Sequence, residues 1–197
     1  MRWLIGSTTR FDAFTHKSTS QYSLAFEKAS IIFNIAAVLS NHGALQPRSV
    51  EASLKMSYHS FQAAAGMFTY INENFLHAPS SDLSRLSIKT LIGITLAQAQ
   101  EIFLERQVAD QKKVGLLAKL ASQAAYLYSQ AVEGAQESVN KGVFDKSWLL
   151  LIQVRLSSFS ACGRPPRHGT ARRVADGVAD QVMLHGIHVA ILPGTRR

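Results

Sequence analysis

The sequence predicts an all-α fold of long antiparallel helices, and three observations lead there. Between residues 20 and 150, apolar residues recur at steps of three and four. No strand alternation and no hairpin dipeptide interrupts them. The runs between stop signals are longer than the usual three turns.

Residues 1–20 are a short mixed segment without a period. The first helix is expected from Tyr22 to about Leu45. Leu24, Ile31, Ile32, Ile35, Ala36, Val38 and Leu39 mark its apolar positions, and Gly43 and Pro47 end it. The second runs from about Pro47, a residue suited to a first turn, to Leu76. Its apolar side holds Val50, Leu54, Phe61, Ala64, Ala65, Phe68 and Ile71. Gly66 lies inside it, costing about 1 kcal/mol relative to Ala, which suggests that a neighbouring helix passes closely. His77 to Asp82 reads as a loop, with Ser81, Asp82 or Ser84 as cap of the next helix. A third helix spans about Leu83–Val108 and a fourth about Asp110–Val139. Asn140-Lys141-Gly142 is a stop signal, and a fifth helix begins near Val143. Such a series suggests an extended bundle or a solenoid, although no fixed repeat period is present.

The 197 residues are 47% hydrophobic, enough for one domain with a core. No run of eighteen apolar residues exists, so no membrane span is expected. A single cysteine, Cys162, excludes an internal disulfide and fits a reducing compartment. The net charge of +8 is uneven. Residues 1–154 carry fourteen Lys and Arg against eleven Asp and Glu, or +3; residues 155–197 carry seven Arg against two Asp, or +5. From about Arg155 lysine disappears, Arg, Gly and Pro rise, and helical periodicity fails. This tail reads as a disordered basic arm or a wrongly spliced end. A basic arm could bind an anionic membrane or RNA, with steep salt dependence.

Enzymatic motifs are missing. There is no GxGxxG, no Walker-type lysine loop, no HExxH and no CxxC. His16, His42, His59 and His77 fall on different predicted elements and make no metal-ligand set. Cys162 has no base beside it. Glu101 and Glu105 lie one helical turn apart, and the expectation is a solvated edge or one paired with Arg106.

Two segments carry more apolar surface than one stripe requires. In Lys112–Ala131, Leu117, Ala121, Ala124 and Tyr128 share one side, and Leu116, Leu120, Gln123 and Leu127 share the next. Either a central helix touches two neighbours, or Leu116 and Leu120 line a groove for an incoming amphipathic helix. In LAQAQEIFLERQ (Leu96–Gln107), Ala97 and Ala99 would let helices approach and Gln98 and Gln100 would bridge them. Phe103, a turn later, would stand at the groove.

Five stretches in register then carry a resemblance. FEKASIIFNIAAVLS (Phe26–Ser40), FQAAAGMFTYI (Phe61–Ile71), the PSSDLS loop, LAQAQEIF (Leu96–Phe103) and LLAKLASQAA (Leu116–Ala125) together resemble the Bro domain of the Alix-type endosomal sorting adaptors. The resemblance covers roughly residues 11–150, and FDAFTHKSTSQYSLAFEKAS is most similar to the fungal vacuolar protein-sorting branch. The ambient-pH-signalling branch, in which the domain is a scaffold, is less similar.

The resemblance implies a boomerang-shaped helical domain with a tetratricopeptide-like centre, no catalytic activity and no cofactor. It implies a partner, the C-terminal amphipathic helix of the ESCRT-III filament subunit, bound during cargo sorting into multivesicular bodies bound for the vacuole. By position, the partner-binding residues are Phe103, Leu116, Leu120, Lys55 and Glu51, with His59 and Arg106 standing where the family has lysines. It implies a cytoplasmic protein recruited to endosomal membrane through its partner, without a nucleic-acid partner. Contact with ubiquitin-recycling machinery would fall to regions outside this segment. The expected division is an unmatched segment 1–10, a partial Bro domain 11–154 incomplete at both ends, and the Arg-rich tail 155–197. A cut domain would expose apolar stripes and aggregate readily.

Overall fold

The computed structural model describes residues 7–75 and 79–162. The fold begins with an antiparallel hairpin, β1 (Thr8–Phe11) and β2 (Ser18–Gln21), with Thr8 opposite Gln21 and Phe11 opposite Ser18. The sequence shows no period here because four-residue strands are too short to display alternation. Carboxylates fasten the hairpin to the rest. Arg10 Nη2 pairs with Asp82 Oδ2 at 2.6 Å, and the Ala13 N–H donates to the same oxygen. In return the Asp82 N–H donates to Asp12 Oδ2 at 2.9 Å. Burial opposes ionisation of Asp12, but N–H groups of Thr15, Phe14 and Asp82 outweigh it and hold the carboxyl below its ordinary value.

Helix α1 (Leu24–Ala44) starts where the Ser23 side chain accepts from the Phe26 N–H, satisfying one orphan donor of the first turn. Helix α2 (Glu51–Asn74) begins at Glu51 rather than Pro47; residues 47–50 form the preceding turn. Ser84 caps α3 (Arg85–Ala109) by accepting from the Ser87 N–H. A short turn with Gln111 at φ 52° leads to α4 (Val114–Asn140), and Gly142 at φ 67° makes the stop before α5 (Lys146–Cys162). Each consecutive pair of helices packs together. The all-α fold of long helices is therefore as expected, with a small hairpin added.

Helix α5 corrects one expectation. The helix runs through Arg155 to Cys162, where helical periodicity was expected to fail. The reason is chemical: Arg155 faces inward to a buried acid, so the inner stripe contains a charge that a hydrophobicity pattern counts as outside. Cys162 closes the helix, buried, and burial pushes its thiol up. The rest of the Arg-rich tail lies outside the described residues.

Phe26, Phe33, Ala36, Ala37, Phe68, Ile71 and Leu91 form a core across α1, α2 and the start of α3. Phe33 and Phe68 meet edge-on at 5.5 Å. Ala97, Leu104, Leu117, Ala124, Tyr128, Ile152 and Phe159 form a second core across α3, α4 and α5. Among the described helices, α1 is long and apolar enough by length and composition to cross a bilayer, but its Phe26–Ala37 face is core.

Glycine sets two close helix approaches. A Cβ at Gly43 would come within 3.2 Å of the Phe61 ring and the Ser57 carbonyl, and a Cβ at Gly134 would collide with Thr90 Oγ1. Gly66 is different: it is exposed, and among the described residues nothing lies within 4 Å of a Cβ placed there, so the expected close approach is not found.

Candidate functional site

A groove of about 250 Å³ lies between α2 and α3. Leu54, Lys55, Tyr58 and His59 line it from α2, and Ile102, Phe103 and Arg106 from α3. These residues share a side because they stand three or four apart on each helix. Leu54 and Ile102 are buried beneath it with Phe61 and Ala99. Tyr58 and Phe103 face each other across it, ring centroids 5.9 Å apart, and His59 stacks edgewise on Tyr58 at 5.4 Å. The groove is thus apolar with Lys55, His59 and Arg106 at its rim. It is smaller than the roughly 300–1,000 Å³ typical of small-molecule sites. Its shape suits one or two inserted apolar side chains with polar neighbours outside.

Glu51 completes the rim. Arg106 Nη2 donates to Glu51 Oε1 at 3.1 Å, both side chains being well exposed. This pair spans the α2 and α3 walls, but solvent screens it, so it orients Arg106 more than it stabilises. Arg106 Nε is buried, with no hydrogen-bond acceptor among the described residues. Four of the residues named from sequence therefore line one groove, and a fifth is tied to it.

Leu116 and Leu120 lie to one side on α4. Leu116 is 43% exposed, in the first turn. Leu120 is half-buried against the second core, and its carbonyl accepts from Gln100 Nε2 at 3.3 Å. Because Thr90 meets Gly134 and Gly93 meets Ala131, α3 and α4 run antiparallel. Both pairs give one register, which sets Phe103 level with Leu120 and Ala121 of α4 and leaves Leu116 more than a turn farther along, toward the α3–α4 turn. The apolar surplus of α4 divides: Leu120 and Leu127 pack against neighbours, and Leu116 stays outside.

The polar residues of LAQAQEIFLERQ form a layer behind the groove wall. Glu101 and Glu105 were expected at a solvated edge or paired with Arg106; instead they are 1% and 5% exposed. Glu101 takes Arg155 of α5 on one oxygen and the Tyr128 hydroxyl of α4, at 2.6 Å, on the other. Glu105 takes Arg48 from the α1–α2 turn. Burial raises the Glu105 carboxyl to about 7 despite Arg48, with Glu101 adding to the rise. Burial and the Glu101 charge likewise push the Tyr128 phenol well above its ordinary range. Sequence alone did not disclose these pairs because both arginines come from distant segments. Tyr58, the facing wall of the groove, was also missed. Its signal was present, since Tyr58 follows Leu54 by four and Lys55 by three. Among the described residues, no group of three His, Cys, Asp or Glu is placed to hold a metal ion.

Residues 7–164 match the family described as the BRO1-like domain, beginning before residue 11 and ending beyond residue 154. The vacuolar protein-sorting protein bro-1 of Neurospora crassa is 74% identical over 151 residues, which are 77% of this chain and 15% of that protein. The vacuolar protein-sorting protein bro1 of Emericella nidulans is 61% identical over 186 residues, 94% of this chain and 18% of that protein. The chain thus spans under a fifth of the length of these relatives. Among solved structures, the ALIX BRO1 CHMP4C complex superposes with a TM-score of 0.76 at 28% identity, over 90% of this chain and 50% of that one. The helical fold, the aligned motifs and the match over most of its length make the chain a member of the BRO1-like domain family.

Proposed function

We propose that the chain is a non-catalytic adaptor module that docks the C-terminal amphipathic helix of an ESCRT-III filament subunit. The observation that carries this reading is the α2–α3 groove, apolar inside and cationic at the rim, with Phe103 on its wall. An amphipathic helix fits such a surface by inserting apolar anchors and setting acidic residues against the rim. Leu116, exposed one turn from Leu120, extends the contact along α4, and Leu120 is half-buried against the core at the level of Phe103. Lys55, His59 and Arg106 supply the charge, and Glu51 fixes Arg106. The solved relative with CHMP4C supports this class of partner, and the fungal relatives support a role in sorting to the vacuole. In this reading the chain works in the cytoplasm and reaches endosomal membrane through its partner.

The test is titration of the full chain with a fluorescent peptide of a CHMP4-type C-terminal helix. Saturable one-to-one binding that weakens with salt is expected, because rim charges assist but do not dominate. Absence of saturable binding would reject the reading.

A further inference from the structure

The groove between α2 and α3 is short and bridged at both ends. At one end the Tyr58 and Phe103 rings meet, 5.9 Å between centroids and tilted by 39°. Aromatic rings in contact lie about 4.5–7 Å apart, so no side chain fits between these two. At the other end Arg106 reaches across to Glu51. Glu51 and Tyr58 stand seven residues apart on α2, a rise of about 10 Å. The two closures occupy part of that length themselves. What remains is room for one inserted side chain over the aliphatic floor of Leu54 and Ile102.

We propose, on the reading of the groove as a helix-docking site, that Tyr58 is its specificity-determining residue. Its ring stands where the far part of a large aromatic anchor would lie, and it limits the docked helix to a single aliphatic anchor such as Leu, Ile or Met.

Three contacts make the Tyr58 ring a wall rather than a flap. The Phe103 ring bears on it from α3, and the His59 ring stands edgewise to it at 5.4 Å. Gln62, one turn along α2, donates from Nε2 to its hydroxyl oxygen at 2.8 Å. Swinging the ring aside for a larger anchor gives up all three together. The layer behind does not yield either. Phe61, Ile102, Leu54 and Ala99 are buried there as one cluster, and a packed interior resists added volume. An aliphatic anchor displaces nothing. It rests on Leu54 and Ile102 and takes the two rings as its end wall. Tyr58 itself is only half-buried at the edge of this cluster, so Ala in its place leaves the core intact and favours the helix.

The experiment titrates the full chain with fluorescent CHMP4-type helix peptides in which each apolar position in turn carries Leu or Trp. The quantity read is the ratio of the two Kd values at the position where the choice matters most. With the parent, the Trp peptide is expected to bind about tenfold or more weakly than the Leu peptide, the penalty of forcing a larger group into a packed site. Tyr58→Ala should bring the ratio to one or below, because the vacated space admits the Trp ring and leaves a gap beside Leu. Tyr58→Leu should shift it the same way by less. Tyr58→Phe should keep the parent ratio, because the ring rather than the hydroxyl sets the limit. Circular dichroism checks the fold of each variant. A parent that binds both peptides equally overturns the inference. So does a Tyr58→Ala chain that keeps the parent's preference, or a Tyr58→Phe chain that loses it; in each of these cases docking itself stands. If no peptide binds the parent saturably, the docking reading falls and the inference falls with it.

Discussion

Arg155 of α5 and Glu101 of α3 are 54 residues apart in sequence and form a buried ion pair, joined by the Tyr128 hydroxyl of α4. Three helices thus meet on one carboxylate. The pair fixes α5 to the bundle beyond what its apolar stripe of Leu149, Ile152 and Phe159 provides.

Removing one partner should therefore be costly. Arg155→Met leaves the Glu101 charge buried with only Tyr128, and a loss of about 3–5 kcal/mol is expected. Arg155→Met with Glu101→Gln should recover part of it, because no charge is then stranded. Urea unfolding followed by circular dichroism measures both. Equal stability of parent and single variant would show that α5 is held by its apolar contacts alone.

Glu105 gives the fold a pH dependence of defined sign. Its carboxyl is raised from 4.5 to about 7 in the folded chain, chiefly by burial. Between those values the folded state holds a proton that the unfolded state releases, so stability falls as pH rises from about 4.5 to about 7. The effect is of order 3 kcal/mol at most. Asp12, held low, acts oppositely and loses its contribution as pH falls through its folded value. Glu105→Gln should flatten the decline and be more stable than the parent at pH 8, measured by urea midpoints across pH 5–8. A parent whose stability rises through that window contradicts this.

Two interior glycines should respond in opposite ways. Gly66 is exposed with open space around it, so Gly66→Ala should stabilise by about 1 kcal/mol. At Gly134 the Thr90 hydroxyl occupies the place of a Cβ, and Gly134→Ala should destabilise by about 1–3 kcal/mol. Adding Thr90→Ala should restore the loss. Thermal midpoints of the three variants decide it.

These effects show what the residues alone could disclose. The helices were legible because their apolar positions recur over twenty or more residues, and loop residues such as Ser84 and Gly142 mark their ends. The hairpin was not, since neither strand exceeds four residues. Gly66 and Gly134 look alike in sequence, and only the neighbour distinguishes them. Glu101, Glu105 and Arg155 look like surface charges, because period counting assigns every ion to solvent. For the groove, spacing and resemblance both named Phe103, and the resemblance alone named Lys55, His59 and Arg106; the fold brings all four into one groove. Leu120 was drawn partly into the core by α4's contact with its neighbours.

The account turns on the α2–α3 groove, and its most direct test is a comparison of exposed apolar positions inside and outside it. The CHMP4-type helix peptide is titrated into the parent, Phe103→Ala, Leu116→Asp and Leu150→Asp chains, with circular dichroism confirming the fold of each. Leu150 is 60% exposed on α5, away from the groove, and serves as the control. The account predicts that the Phe103 and Leu116 variants raise Kd by about tenfold or more, the loss of one buried apolar anchor, while Leu150→Asp leaves it unchanged. Equal Kd values for the parent, Phe103→Ala and Leu116→Asp would contradict it.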